Sequence, residues 1–329
     1  MKHEFDASLT PALSWEQRYW LVSALRLLGG EYPYGMRDRF KAANELTARL
    51  AFYVNSHCPD GKQLDPGEVL DILAVKGSVE SLLIEDPFRK YSLWVQVMAD
   101  PWFTFMNYGY HSDEYEKSPI RLVGGERHWK FAAQFYHRVA NQVDLHARDV
   151  LEVGSGRGGG AAFVSRCFKP RIMVGLDGTQ SNTLFCRSVH KVPRLHFVAG
   201  KAENLPFVKG SFDVVLNIES LTYYRPLEAF LAGVHRVLRS NGALLVAIYG
   251  AFDEMYEVRQ KILNAGFSLL RQEDVSTNVK RAIALFKRDL PRIIRENKTL
   301  VSKSVYAAFF SEAFSVDTRF YYCFAFRKT

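Results

Sequence analysis

The sequence is poor in cysteine and has no recognisable metal-binding pattern. Its 329 residues include four cysteines; Cys58, Cys167, Cys186 and Cys323 form no CxxC pair and have no histidines at metal-ligand spacing. A zinc site or a disulfide framework is therefore excluded, and we expect free thiols in a reducing cytosol. Because an acidic DDxxD motif is also missing, the sequence predicts no metal site.

Long apolar runs and targeting segments are missing as well. No stretch of about 18 apolar residues occurs, so we expect no transmembrane helix. The polar N-terminus MKHEFDASLTPALSWEQ lacks the apolar core of a signal peptide. These absences predict a soluble, cytoplasmic protein. The net charge of +8 is spread along the chain without a recognition motif, so we expect no nucleic-acid partner.

Two kinds of pattern divide the chain. Apolar residues at helical spacing dominate residues 1–105, which predicts an N-terminal helical extension or cap. From Asp149 onward, short apolar runs alternate with helical stretches, so residues 106–329 are predicted to form an α/β domain. We expect a Rossmann-like, seven-stranded, mostly parallel sheet flanked by helices. Residues 278–314 are predicted to form a helical lid insertion before the last strand.

A glycine-rich segment, LEVGSGRGGG, follows the first predicted strand and opens a helix. Its glycines permit a tight turn and a close approach of backbone to a ligand, but they do not by themselves exclude a dinucleotide. Glu152 favours a ligand with an ammonium group, because a carboxylate would repel a pyrophosphate. Asp177, at the end of the second strand, suits the ribose hydroxyls of either kind of cofactor.

The motifs LEVGSGRG, LDGT, AENLPF, FDVV and HRVLRSNG, in this order, resemble those of class I S-adenosylmethionine-dependent methyltransferases. With MNYGY and NIES, the chain is similar to the phthiotriol-type small-molecule methyltransferases, relatives of the sterol and ubiquinone enzymes. The resemblance implies S-adenosyl-L-methionine as cofactor. It also implies binding roles for Glu152, Gly154, Ser155, Gly156 and Gly158 (methionine end), Asp177 and Gly178 (ribose), Ala202 and Glu203 (adenine), Asn217 and Ile218 (sulfonium), Tyr108 (closing over the cofactor) and Gln134 (carboxylate region).

Two positions depart from the family pattern. Lys201 stands where the family commonly has an acid, and Thr222 stands where a histidine usually follows the NIES motif. Threonine cannot act as the base that methylation of a hydroxyl usually needs. Methylation of an alkene carbon instead produces a carbocation, which aromatic faces and a carboxylate stabilise. The candidate catalytic residues are therefore Glu219, Tyr223 and Tyr224, with His111 or His128 as a substitute base near the entrance.

These observations favour C-methylation of an unsaturated isoprenoid, such as a prenyl diphosphate, in terpenoid or other secondary metabolism. The basic face of the predicted lid suits a diphosphate. O-methylation of a polyketide or lipid alcohol and N-methylation of an amine remain alternatives. So does a catalytically silent cofactor-binding scaffold. An NAD-dependent reductase would need a hydride-transfer pair, which we do not find. We expect a lipophilic small-molecule partner and leave a homo-oligomer open.

Overall fold

The structure is a computed structural model that describes residues 102–296 and 320–329. These residues all belong to one compact unit of the chain. The helices predicted in residues 1–101, and residues 297–314 of the predicted lid, lie outside the described residues. Across the described ranges, no helix is both long and apolar enough to cross a bilayer.

A seven-stranded sheet with the order β3-β2-β1-β4-β5-β7-β6 forms the centre of this unit. All neighbouring strands are parallel except β7, which runs antiparallel to both β5 and β6. This confirms the predicted Rossmann-like, mostly parallel sheet. The strands are β1 (Asp149–Val153), β2 (Ile172–Asp177), β3 (Leu195–Ala199), β4 (Phe212–Ile218), β5 (Leu238–Gly250), β6 (Phe267–Asp274) and β7 (Phe320–Lys328).

Helices connect and flank these strands. Central strands β1 and β4 are buried almost throughout, whereas the edge strand β6 is largely exposed. Burial on both faces explains the continuous apolar runs of the central strands. The helices are α1 (Asp113–Lys117), α2 (Lys130–Ala140), α3 (Gly159–Phe168), α4 (Gln180–Val189), α5 (Leu227–Val237), α6 (Phe252–Asn264) and α7 (Ser276–Glu296), with 3-10 turns at Gly124–Trp129 and Leu221–Tyr223.

Helix α7 covers the first part of the segment predicted as a lid. It begins where the side chain of Asp274 accepts a hydrogen bond from the Ser276 amide, 2.9 Å away. Its apolar face is buried, and Phe286 stacks on Trp129 with ring centroids 5.4 Å apart. Arg281 on its basic face pairs with Asp113 at 2.6 Å. These contacts hold α7 against the described unit.

The reversal of strand order between β1 and β4 locates the site. In open α/β sheets, ligands bind beyond the carboxyl ends of the strands at such a switch point. Strands β1, β2, β4 and β5 all end at this edge, and the antiparallel β7 begins there, with Tyr321 opposite Tyr249. The residues that follow these strand ends are therefore the candidates for binding and catalysis.

Candidate functional site

The loop between β1 and α3 is anchored to the end of β2. The amides of Gly154 and Ser155 both donate to the carbonyl oxygen of Leu176, at 2.8 and 3.0 Å. Gly154 has a φ of +79°, and a Cβ atom there would lie 2.3 Å from the hydroxyl oxygen of Ser220. No residue with a side chain fits this position. The loop therefore presents bare backbone at the switch point, as close binding of a ligand requires.

Glu152, on β1, is fully buried directly below this loop. Its Oε1 atom accepts a hydrogen bond from the hydroxyl of Tyr136 at 2.6 Å. Its Oε2 atom is buried and has no hydrogen-bond partner among the described residues. Burial raises the pKa of Glu152 to about 8; Asp177 adds to this effect and the Tyr136 hydrogen bond opposes it. A buried acid with one unused oxygen fits a cationic ligand group such as an ammonium.

Asp177 ends β2 and is held by protein donors. Oδ2 accepts from the Gly156 amide at 2.8 Å, and Oδ1 accepts from the Thr179 amide at 2.8 Å and from the Asn182 side chain at 3.1 Å. Burial raises the pKa of Asp177 despite these bonds. The carboxylate thus holds the glycine loop, and a ribose hydroxyl would have to share or replace one of these donors. The neighbouring Gly178 is exposed.

Asn217, near the end of β4, joins the ends of β4 and β1. Its side-chain amide nitrogen lies 3.0 Å from the carbonyl oxygen of Val153, 2.9 Å from the Ser220 hydroxyl and 3.1 Å from the Tyr224 hydroxyl. Its Oδ1 atom is buried without a hydrogen-bond partner among the described residues. It is a second unused acceptor at the switch point. Ile218 next to it is buried.

Glu219 follows β4 and lies beside three tyrosines. Both carboxylate oxygens are 3.3 Å from the backbone amide of Tyr108. The Tyr108 ring packs edge-on against Tyr249 at 5.3 Å and Tyr321 at 5.8 Å, and those two rings stack on each other. Burial raises the pKa of Glu219 to about 8, which the Tyr108 amide opposes. We call Glu219, Tyr108, Tyr249 and Tyr321 the acceptor cluster.

Glu219 also has an unusual backbone. Its φ of +54° lies in the left-handed region, where residues other than glycine are uncommon. Its amide donates to the carbonyl oxygen of Ala247 on β5 at 2.8 Å. Such conformations are retained where the surrounding structure holds them and occur often at functional sites. The turn directs the chain from β4 into the 3-10 turn that contains the half-buried Thr222.

The two residues predicted to lie beside adenine occupy the loop after β3. Ala202 is buried in the core. Glu203 is half-buried, and its Oε1 atom accepts a hydrogen bond from the Arg225 amide at 3.0 Å. Lys201, the departure from the family pattern, is exposed. Glu203 is therefore the acid on this side of the switch point.

The structure places several predicted catalytic residues elsewhere. Tyr224 is in the hydrophobic core, and its ring centroid lies 4.7 Å from that of Phe230. Its hydroxyl forms hydrogen bonds with the side chains of Ser220 and Asn217. Tyr223 is half-buried and packs against the same core. Both side chains therefore pack against the core beside the 3-10 turn.

His128 and His111 also lie apart from the acceptor cluster. His128 is 3.7 Å from a carboxylate oxygen of Glu296 and packs edge-on to Trp102. His111 is buried, with its ring nitrogens near Gln134 and Glu116. No contact joins either imidazole to Glu219 among the described residues. The role of either histidine as a substitute base stays a prediction.

Gln134 and Tyr108, which the resemblance assigns to the cofactor, contact other residues of this unit. The Gln134 side chain faces His111, with Oε1 3.3 Å from Nδ1, whereas Tyr136 reaches Glu152. Residues two apart on a helix point to opposite sides, so α2 cannot present both to the glycine loop. Tyr108 lies against the end of β5 and the start of β7 in the acceptor cluster, where its backbone amide contacts Glu219.

The sequence analysis missed four residues of this region: Tyr136, Ser220, Tyr249 and Tyr321. Tyr249 and Tyr321 pair across antiparallel strands. A weak period-two pattern in the last strand was a local signal for Tyr321 alone. Tyr136 is one of several aromatic residues in an apolar helix. Nothing nearby in the sequence distinguishes it.

The unused acceptors fit S-adenosylmethionine. Glu152 Oε2 suits its ammonium group, the bare glycine backbone permits a close approach, and Asn217 Oδ1 lies at the neighbouring strand end. All three surround the switch point at which cofactors bind in this kind of sheet. Within the described residues, no group of histidine, cysteine or acidic side chains is arranged to hold a metal ion.

Known proteins are similar to this chain in sequence. A family model described as a methyltransferase domain matches residues 151–246. The fatty-acid O-methyltransferase of Mycolicibacterium smegmatis is 36% identical over 186 residues, which is 56% of this chain and 67% of that protein. The phthiotriol/phenolphthiotriol dimycocerosates methyltransferase of Mycobacterium leprae is 35% identical over 219 residues, which is 63% of this chain and 80% of that protein.

A solved structure has the same fold. The cyclopropane synthase MmaA2 from Mycobacterium tuberculosis aligns with a TM-score of 0.58 and 14% identity, covering 74% of this chain and 99% of that one. At this identity the likeness concerns the fold alone. The sequence relatives carry the assignment further, because one of them is matched over four-fifths of its length. The chain therefore belongs to the class I S-adenosylmethionine-dependent methyltransferases and uses S-adenosylmethionine as its cofactor.

Proposed function

We propose that this enzyme transfers a methyl group to an oxygen atom of a lipophilic small molecule, with Glu219 as the general base. The observation that carries the proposal is the acceptor cluster. It combines one carboxyl group with three tyrosine rings at the ends of β4, β5 and the start of β7. Aromatic walls with a small number of polar groups are typical of sites for lipophilic ligands.

The sequence relatives support this class of acceptor. The Mycolicibacterium smegmatis relative is a fatty-acid O-methyltransferase by name, and the Mycobacterium leprae relative is named for dimycocerosates. Both names describe acceptors of the kind that aromatic walls accommodate. We therefore place the acceptor of this chain among lipids that carry a hydroxyl or carboxyl group.

The surroundings of Glu219 suit a base. A carboxyl group accepts a proton most effectively when its pKa lies near the working pH. Burial raises the pKa of Glu219 to about 8, and no cationic side chain among the described residues offsets this. When bound, S-adenosylmethionine supplies an electrophilic methyl group on a sulfonium sulfur. Glu219 takes the proton that the acceptor hydroxyl loses as its oxygen bonds to the methyl carbon, and S-adenosylhomocysteine is left.

C-methylation of an unsaturated isoprenoid, such as a prenyl diphosphate, is the second candidate. The rings of Tyr108, Tyr249 and Tyr321 favour it, because aromatic faces stabilise a carbocation. The raised pKa of Glu219 weakens it, since a protonated carboxyl group provides little negative charge. A diphosphate would also need cations, and Glu219 has none beside it among the described residues. Oxygen is therefore the acceptor atom we favour.

A labelled-methyl screen tests the proposal. The full chain is incubated with S-adenosylmethionine carrying a 13C methyl group and, in turn, a long-chain fatty acid, a long-chain alcohol, geranyl diphosphate and an aliphatic amine. We expect a methyl ester or methyl ether, which the 13C chemical shift distinguishes from a methyl group on carbon or nitrogen. A product labelled only on carbon would overturn the assignment to oxygen.

A further inference from the structure

We propose that Tyr136 is a positioning residue, which holds Glu152 so that its second carboxylate oxygen meets the ammonium group of the cofactor. Gly160 provides the space through which Tyr136 reaches Glu152. The inference rests on the cofactor of the family and not on the acceptor, so it is independent of whether oxygen or carbon is methylated.

The contact between Tyr136 and Glu152 is short and fully enclosed. The Tyr136 hydroxyl donates to Oε1 at 2.6 Å, and both side chains are buried. Oε2 has no hydrogen-bond partner among the described residues. One bond on one oxygen fixes the rotation of the carboxyl group and directs the other oxygen to a single place. A ligand group that binds there finds the acceptor already oriented.

Gly160 explains why the run of glycines extends beyond the loop. It lies in the first turn of α3, and a Cβ atom there would be 1.8 Å from the Cζ atom of the Tyr136 ring. Any side chain at residue 160 would therefore displace the tyrosine. Phe105 packs edge-on against the same ring, 5.8 Å away, and confines it further. The position of Tyr136 is thus determined by packing on two sides.

The charge of Glu152 depends on this hydroxyl. Three titratable groups face it: Tyr136 from α2, Asp177 from the end of β2, and the Cys186 thiol from α4. Burial raises the pKa of Glu152 to about 8, the nearby Asp177 raises it further, and the Tyr136 hydrogen bond lowers it. Without the hydroxyl, the pKa would be higher. Less of the carboxyl group would then be ionised at neutral pH, and an ammonium group would be bound more weakly.

A pair of ligands isolates this effect. S-adenosylhomocysteine carries the ammonium group, whereas 5'-methylthioadenosine shares the adenosine part and lacks the amino acid. We compare their Kd values by calorimetry from pH 6.5 to 9 for wild type, Tyr136→Phe and the control Tyr115→Phe. Tyr115 is a matched control because its buried hydroxyl also contacts α2, at the carbonyl oxygen of Gln134, without touching Glu152.

We expect Tyr136→Phe to bind S-adenosylhomocysteine about tenfold more weakly at pH 7. Its affinity for methylthioadenosine should stay within about twofold of the wild-type value, since one lost hydrogen bond to the acid leaves the adenosine contacts intact. In Tyr136→Phe, the affinity for S-adenosylhomocysteine should stop rising at a higher pH than in wild type. Tyr115→Phe should match wild type for both ligands and in its pH profile.

Unchanged affinity for S-adenosylhomocysteine in Tyr136→Phe would overturn the proposal. Equal weakening of both ligands with an unmoved pH profile would also overturn it, because that pattern indicates general loosening of the pocket. Wild type alone provides a test that does not depend on how the variant folds. Its affinity for S-adenosylhomocysteine should rise with pH between 6.5 and 8 relative to methylthioadenosine, and a constant ratio would contradict the proposal.

Discussion

Two glutamates, Glu152 and Glu219, stand at neighbouring strand ends and differ in what holds them. Glu152 is bound by a side-chain hydroxyl inside the sheet, and Glu219 by the backbone amide of Tyr108 at a half-buried turn. Burial raises the pKa of each to about 8. The same chemical group with the same shift can thus serve two roles, and its neighbours decide which.

The neighbours of the two acids are of opposite character. Around Glu152 lie bare backbone and Asp177, which suit a charged ligand group. Around Glu219 lie tyrosine rings from β5 and β7, which suit an apolar acceptor. We infer that Glu152 binds the ammonium group of the cofactor and that Glu219 accepts a proton. Substitutions that separate binding from turnover test this division.

The largest expected effect is on turnover by Glu219→Gln. An amide cannot accept the proton of the acceptor, so kcat should fall by about a thousandfold. The Kd for S-adenosylhomocysteine should stay within about twofold, because Glu219 is not among the residues that we expect to bind the cofactor. Steady-state kinetics and calorimetry check both values. The exposed Glu257→Gln on α6 is the matched control, and full activity of Glu219→Gln would remove Glu219 from catalysis.

The second-largest expected effect is weaker binding of the cofactor in the Glu152→Gln variant. A glutamine can accept from Tyr136 with its oxygen, but it then turns an N–H donor toward the ammonium group. We expect the Kd for S-adenosylhomocysteine to rise about a hundredfold, as for other lost buried charge contacts. Binding of methylthioadenosine should change little. If both ligands weaken alike, the acid supports the shape of the pocket and does not recognise the ammonium.

The pH dependence of catalysis separates the two acids. At saturating cofactor, kcat should rise with pH as Glu219 loses its proton, and Glu219→Gln should abolish this rise. The rise of kcat/KM for the cofactor below about pH 8 should instead disappear in Glu152→Gln, since that constant reports ionisations in the free enzyme. Rate profiles over pH 6 to 9 measure both. If a single variant flattens the pH profiles of both kcat and kcat/KM, the two acids do not have separate roles.

A smaller effect tests the choice between oxygen and carbon. Tyr249→Leu keeps an apolar wall and removes an aromatic face. For methylation of oxygen, we expect KM for the acceptor to rise by less than about tenfold with kcat nearly unchanged. For methylation of carbon, kcat itself should fall, because the ring would stabilise the carbocation. The control is Tyr256→Leu, which changes an exposed tyrosine on α6.

The smallest effect concerns stability without cofactor. Both acids have folded pKa values of about 8 against an ordinary value of 4.5. At pH values between 4.5 and about 8, the folded chain binds more protons than the unfolded chain. The contribution of the two acids to the free energy of unfolding is therefore lost as pH rises. Glutamine at either position should flatten this slope and raise Tm by a few degrees at pH 8. Parallel Tm curves for wild type and both variants would contradict it.

Local patterns were sufficient for part of the cofactor site. Glu152, the loop glycines and Asp177 sit within a few residues of a buried strand end, and the chain itself carries them to the switch point. The central strands were likewise visible as apolar runs, because burial on both faces leaves a continuous signal. Gln134 and Tyr136 show the limit of such patterns. The rotation of α2 about its axis, relative to the sheet, directs Tyr136 toward Glu152. Local sequence periodicity does not determine that rotation.

By itself, the sequence determined the fold class, the family and the candidate acid for the cofactor, because these depend on residues close together along the chain. Only the tertiary structure decided what surrounds Glu219. Tyr108, Tyr249 and Tyr321 come from three separate segments and meet because β7 pairs antiparallel with β5. Tertiary structure also places Tyr224 in the hydrophobic core. Contacts between residues so far apart along the chain depend on strand order and register, which short motifs do not encode.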